Sequence, residues 1–221
     1  MQEHPQYDPR ISKSHSSQPH RFFEKNVGNN LTELSEALLD RYGRIERAEL
    51  EGVTPVTDSD YWKESNSVST MKWRQYNVFQ FYIPGIRKLY DAVSEMVHEA
   101  CEYYEIDFDE QQYMIQGWFN VNYSKKGRLD WHDHSPVGAP FFHGYYAVSA
   151  EPSETHYYTF GEHKINNNVN NKAILSEMGH SHAMADWDWD GPRITVAYDV
   201  SPLSSLEGLG PEDEQHWTPL R

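Results

Sequence analysis

After Glu110 the spacing of apolar residues changes, and it does not change back. Upstream, Ile86, Leu89, Tyr90, Val93, Val97, Ala100 and Tyr104 recur at intervals of three and four, which predicts a helix opened by Pro84 and running to about Tyr104. Downstream, Tyr113, Ile115, Gly117, Phe119, Val121 and Tyr123 alternate with Met114, Gln116, Trp118, Asn120 and Asn122. Large residues on both faces predict a long central strand. Further strand signals follow at 140–149, 154–160, 172–177, 180–185 and 192–200. Ser135-Pro136, Gly161, the Asn166–Asn171 cluster and Asp190-Gly191 punctuate them as turns. A helical first half followed by many short strands points to an α+β fold with a β-sandwich or barrel core. No internal repeat is present.

The remaining boundaries follow from local signals. Residues 1–28 lack periodicity and read as an extended or disordered arm, in which His4, His15 and His20 are solvated. Asn30-Leu31-Thr32-Glu33 resembles a capping box ahead of Leu34, Ala37, Leu38 and Tyr42, predicting a helix over 31–42. Residues 29–110 then form a helical support region, 111–205 the β core and 206–221 a C-terminal tail. A chain of 221 residues suits one such domain.

Charge and cysteine content narrow the partners. The formal net charge of −15 repels phosphate backbones and argues against nucleic acid. The densest basic stretch, Lys125-Lys126-Gly127-Arg128, reads as a hairpin tip. Cys101 is the only cysteine, so no intrachain disulfide forms, which suits a reducing, cytoplasmic setting; its helical context predicts burial. No apolar run approaches the roughly 18 residues of a membrane span, and Met1–Arg21 lacks the apolar stretch of a secretory signal.

Two histidine motifs carry the chemistry. In Trp131-His132-Asp133-His134 the two imidazoles are separated by one residue, so on extended backbone both face the same way while Asp133 faces the other. Imidazole suits Fe, Zn, Cu and Ni. About fifty residues on, Gly179-His180-Ser181-His182 offers a further ligand from His182 or His180. Arg193 then opens the run Ile194-Thr195-Val196-Ala197-Tyr198. A guanidinium directed into a sheet needs an anionic partner, either a nearby Asp or the carboxylate of a ligand. The His pair by itself is equally a polar loop or an aromatic-packed pair, and His143, His156 and His163 read as strand or loop histidines.

Together these elements resemble the Fe(II)- and 2-oxoglutarate-dependent oxygenases, in their prolyl-hydroxylase-like branch. The matching residues are His132, His182 and Arg193-Ile194-Thr195, with eleven positions from His182 to Arg193, the strand Gly144-Tyr145-Tyr146-Ala147-Val148, and Gly179 before the distal histidine. The resemblance covers roughly 112–202 and implies a double-stranded β-helix (jelly-roll) core with N-terminal supporting helices. It implies Fe(II) held by His132, His182 and a third group, and 2-oxoglutarate held through its distal carboxylate by Arg193, helped by Thr195 or by Tyr123, Tyr146 or Tyr157. Trp118, Asn120 and Asn122 would line the pocket; Ser153, Thr155 and Tyr157, which share a strand face, would contact cosubstrate or substrate. The implied reaction hydroxylates an aliphatic C–H of a peptide or small molecule and releases succinate and CO2. The family's acidic ligand position is His134 here. A three-histidine site, an inward turn of Asp133, or water would each complete the set, and three histidines are favoured. The alternatives are a cupin-like three-histidine metal enzyme without oxoglutarate and a non-catalytic β-sandwich binding protein.

Overall fold

The computed structural model describes residues 18–52, 67–72, 76–123, 131–134, 142–159, 162–177, 181–185, 187, 189–206 and 216–221. Helix α1 spans Leu31–Leu50, and the Asn30 side chain accepts from the Glu33 amide at its start. It runs eight residues past the expected end. Its apolar stripe fades after Tyr42, but Arg44–Leu50 has good helix formers and an i,i+4 Asp40–Arg44 pair that sustain it. Helix α2 spans Ile86–Tyr104, and Glu105 at φ 59° ends it. Its expected stripe is buried at Leu89, Val93, Val97, Ala100 and Tyr104, with Cys101 beside it. A short helix α3, Phe108–Gln111, is capped by Asp107.

The strands are β1 Phe23–Asn26, β2 Ser67–Ser69, β3 Tyr113–Asn122, β4 Phe142–Ser149, β5 Glu154–Thr159, β6 Glu162–Asn167, β7 Lys172–Glu177, β8 Ser181–Met184, β9 Arg193–Pro202 and β10 Thr218–Pro219. They form two antiparallel sheets. The larger runs β1-β7-β4-β9-β3-β10, with β2 also on β3; the smaller runs β6-β5-β8. This is the expected α+β double-stranded β-helix with N-terminal supporting helices. Strand β6 lies where turns were expected, because Glu-His-Lys-Ile-Asn-Asn is polar on an edge and carries no apolar alternation. The end of the N-terminal arm is structured: β1 pairs with β7.

Alternation within the large sheet separates two environments. Ile115, Phe119 and Val121 of β3, Phe142, Tyr146 and Val148 of β4, and Ile194, Val196, Tyr198 and Val200 of β9 pack in one core with Leu34 and Leu38 of α1 and Leu89, Val93, Met96 and Val97 of α2. The helices therefore cover one face of the sheet. Trp118, Tyr145 and Ala197 point to the other face, where Tyr157 of the small sheet meets them. Among the described residues no helix is long and apolar enough to cross a membrane.

Gly144 sits on the helix-covered side of β4. A Cβ there would overlap the Ile174 carbonyl oxygen and the Tyr198 ring, whose hydroxyl donates to that same carbonyl at 2.8 Å. The Gly144→Ala variant should lose about 3 kcal/mol of unfolding free energy, because one obstacle is backbone and cannot turn aside; denaturant titration reads the loss. His20 was expected in solvent, yet its Nε2 lies 3.2 Å from Ser176 Oγ and its ring packs on Phe22. Burial, with a smaller contribution from Lys164, lowers its pKa from 6.5 to about 4. The unfolded chain then binds the extra proton between those values, so this histidine's contribution to stability is complete above pH 6.5 and is lost as pH falls toward 4. Relative to His20→Gln, the native protein should lose up to about 1.4 kcal/mol per pH unit in that window.

Candidate metal and anion site

The two histidine motifs meet through backbone. His132 donates to the His182 carbonyl at 3.1 Å and His182 to the His132 carbonyl at 2.8 Å, an antiparallel bridge that adds residue 132 to the free edge of β8. The ring centroids of these two histidines are 4.3 Å apart. One ligand atom from each of His132, His134 and His182 lies within 4.8 Å of the others. Asp133 is exposed and belongs to no such group among the described residues. His180 and Gly179 lie outside the described residues.

His134 packs against two other rings. Trp118 stacks with it at 5.4 Å and His143 at 4.1 Å. Its Nδ1 is 3.3 Å from Asp199 Oδ2, while Asp199 Oδ1 is 2.7 Å from His143 Nδ1. His134 Nε2 is buried with no hydrogen-bond partner. A buried nitrogen left open beside two other imidazoles suits a transition-metal ion, so the residues present fit the implied iron. Burial would push the Asp199 carboxyl upward, but His134 and His143 outweigh it and hold it at about 2. Burial and the neighbouring His134 lower His143 to about 4 against the pull of Asp199, so it is a neutral imidazole.

The alternation of β9 places Arg193, Thr195, Ala197 and Asp199 on the wall of one cavity of about 420 Å³, which His132, His134 and His182 also line. Arg193 is 5 % exposed, and among the described residues no carboxylate pairs with it. Its Nε donates to Ser153 Oγ at 3.2 Å. Asn168 donates to the same hydroxyl at 2.7 Å, and its Oδ1 accepts from Tyr145 at 2.5 Å and Thr155 at 3.2 Å. Burial lowers the Arg193 pKa to about 10, with the neighbouring Tyr145 and Tyr157 opposing that shift. The guanidinium stays charged beside hydroxyls and amides. The Tyr157 hydroxyl is buried without a partner.

Several expected residues converge here. Trp118, Asn120, Asn122, Thr155 and Thr195 line the cavity, and Tyr157 and Ser153 adjoin Arg193. Two do not. Tyr123 is 60 % exposed beyond the end of β3. Tyr146 falls on the helix-facing side of β4, where its hydroxyl donates to Asn171. Its neighbour Tyr145 has the inward parity, which counting alternation from Phe142 would have found. His143 and Asp199 were also missed as site residues. They are cross-strand partners in the β4–β9 register, a pairing invisible to spacing along the chain.

No protein-family model and no curated protein matches the sequence. Solved structures do match in fold. A prolyl-4-hydroxylase from Pseudomonas putida is 9 % identical, with a TM-score of 0.54 over 83 % of this chain and 93 % of that one. A Trichoplax adhaerens prolyl hydroxylase, solved with a hypoxia inducible factor peptide fragment, is 11 % identical, with a TM-score of 0.57 over 83 % and 84 %. SnoN, a non-heme α-ketoglutarate-dependent epimerase of nogalamycin biosynthesis, gives 10 % and 0.51 over 90 % and 86 %. With its two sheets and its supporting helices, the chain has the fold of the 2-oxoglutarate–Fe(II) oxygenases, prolyl hydroxylases among them.

Proposed function

We propose that the protein is an Fe(II)- and 2-oxoglutarate-dependent oxygenase that hydroxylates an aliphatic C–H of a peptide or small molecule, releasing succinate and CO2. The observation that carries this reading is one cavity with a cluster of three imidazoles and, on the same wall, a buried guanidinium lacking a carboxylate among the described residues. His132, His134 and His182 would hold the iron, which supplies oxygen activation coupled to oxidative decarboxylation of the cosubstrate. Arg193 would clamp the distal carboxylate of 2-oxoglutarate bidentately. The open Tyr157 hydroxyl and Thr195 add donors beside it. Ser153 and Asn168 hold the guanidinium in place, so binding needs little rearrangement. Trp118 and Tyr145 exclude water from the inner wall, which strengthens every charge interaction inside. Asn120, Asn122 and Met184 remain along the cavity to meet a substrate.

The neutral ligand set formed by His134 also suits a three-histidine metal enzyme that uses no oxoglutarate. In that case the cavity would still take metal, and Arg193 would be indifferent to oxoglutarate. Anaerobic titration separates the two. Protein with Fe(II) should develop a visible charge-transfer band on adding 2-oxoglutarate. Arg193→Ala should raise the oxoglutarate Kd roughly 100-fold, the size of loss that follows removal of one partner of a buried charge pair, and Tyr157→Phe should raise it about 5-fold. His132→Ala should bind no iron and form no succinate under air. Iron binding with no band, or succinate formation that survives His132→Ala, would overturn the oxygenase reading.

A further inference from the structure

Replacing an acidic metal ligand by His134 removes a negative charge from the inner ring of the site. The cavity nonetheless keeps one buried carboxylate among the described residues, Asp199, displaced outward by one imidazole. Asp199 is 8 % exposed and lies on the β9 face that carries Arg193, Thr195 and Ala197. Its two oxygens are both occupied, Oδ1 by His143 Nδ1 at 2.7 Å and Oδ2 by His134 Nδ1 at 3.3 Å. Accepting from Nδ1 fixes the proton there and leaves the lone pair on Nε2, the His134 nitrogen that is buried and open.

We propose that Asp199 is a positioning residue for the metal centre: through His134 Nδ1 it orients the Nε2 lone pair toward the ion and supplies, one ring removed, the negative charge that the His134 position lacks. The proposal rests on the oxygenase reading only in taking His132, His134 and His182 as the ligands. His143 completes the device. By occupying Oδ1 and stacking on His134 it keeps the carboxylate from turning inward, and the stack, 4.1 Å between centroids with the planes 17° apart, holds the His134 ring angle. An ion held by three neutral imidazoles near a buried guanidinium meets a net positive field, and Asp199 is placed to offset it.

A double-mutant cycle with Co(II) as the probe tests this without turnover. Asp199→Asn preserves shape but offers an amide NH2 to one imidazole N–H and no charge to either. In the native background it should weaken Co(II) binding about 10- to 100-fold, the usual effect of losing a carboxylate behind a ligating histidine. In the His134→Asp background the charge is back in the inner ring, and Asp199→Asn should change the Kd less than about 3-fold or tighten it. Equal losses in both backgrounds would make Asp199 a structural residue and overturn the proposal; so would an unchanged Kd in the native background. His143→Phe should retain Co(II) within about 10-fold, keeping the Asp199–His134 contact. Co(II) lost from His143→Phe but retained by His132→Ala would make His134, His143 and Asp199 the ligand set and overturn it as well. That comparison can overturn the proposal even if Asp199→Asn fails to fold. Native protein that takes no Co(II) defeats both this proposal and the oxygenase reading. Native binding with a flat Asp199→Asn response defeats this one alone.

Discussion

Strand β9 is buried along all ten of its residues, and its two faces serve opposite purposes. It pairs with β3 on one side and β4 on the other, so its backbone is satisfied by the ladders. Ile194, Val196, Tyr198 and Val200 then weld the large sheet to the helices. Arg193, Thr195, Ala197 and Asp199 form a cavity wall on the reverse face. The period of two that builds the core therefore also sets the spacing of a cation and an anion along the pocket. A one-residue slip would exchange the two faces, putting Arg193 and Asp199 into an apolar core.

Each buried charge of that wall has its own hydrogen-bond partners. Arg193 donates to the Ser153 hydroxyl just before β5, which is backed by Asn168 after β6 and through it by Tyr145 of β4. Asp199 rests on two imidazoles. The two sites thus differ in what they can accept. The guanidinium retains unused donors and suits an anion. Both carboxylate oxygens already accept from an imidazole, so its charge is expressed through the histidines it holds. The separation keeps the two from neutralising each other, which a direct salt bridge would do.

The Asn168 region illustrates how loops contribute. The asparagine cluster reads in sequence as a turn, and Asn171 does adopt φ 73°. Yet Asn168 ties Tyr145, Thr155 and Ser153 into one network behind Arg193, and Asn171 accepts from Tyr146. Side chains that suit turns, because they bond to nearby backbone, are used here to fix the residues behind a cavity wall.

Much was legible in the chain itself. The change from helical to alternating spacing after Glu110 determined the order of helices and strands, since burial on one face imposes those periods. The one-residue gap between His132 and His134 put both rings on one side, and Arg193 at the head of an apolar strand marked a guanidinium bound for the interior. The tertiary structure alone decided the rest. It bridged His132 to His182 across fifty residues, chose Tyr145 over Tyr146 by strand parity, and turned Tyr123 out to solvent. It also set Asp199 opposite His143, and so behind His134. Spacing along a chain fixes which face a side chain takes, but the register between strands fixes which side chains meet, and that register comes from packing contacts distant in sequence.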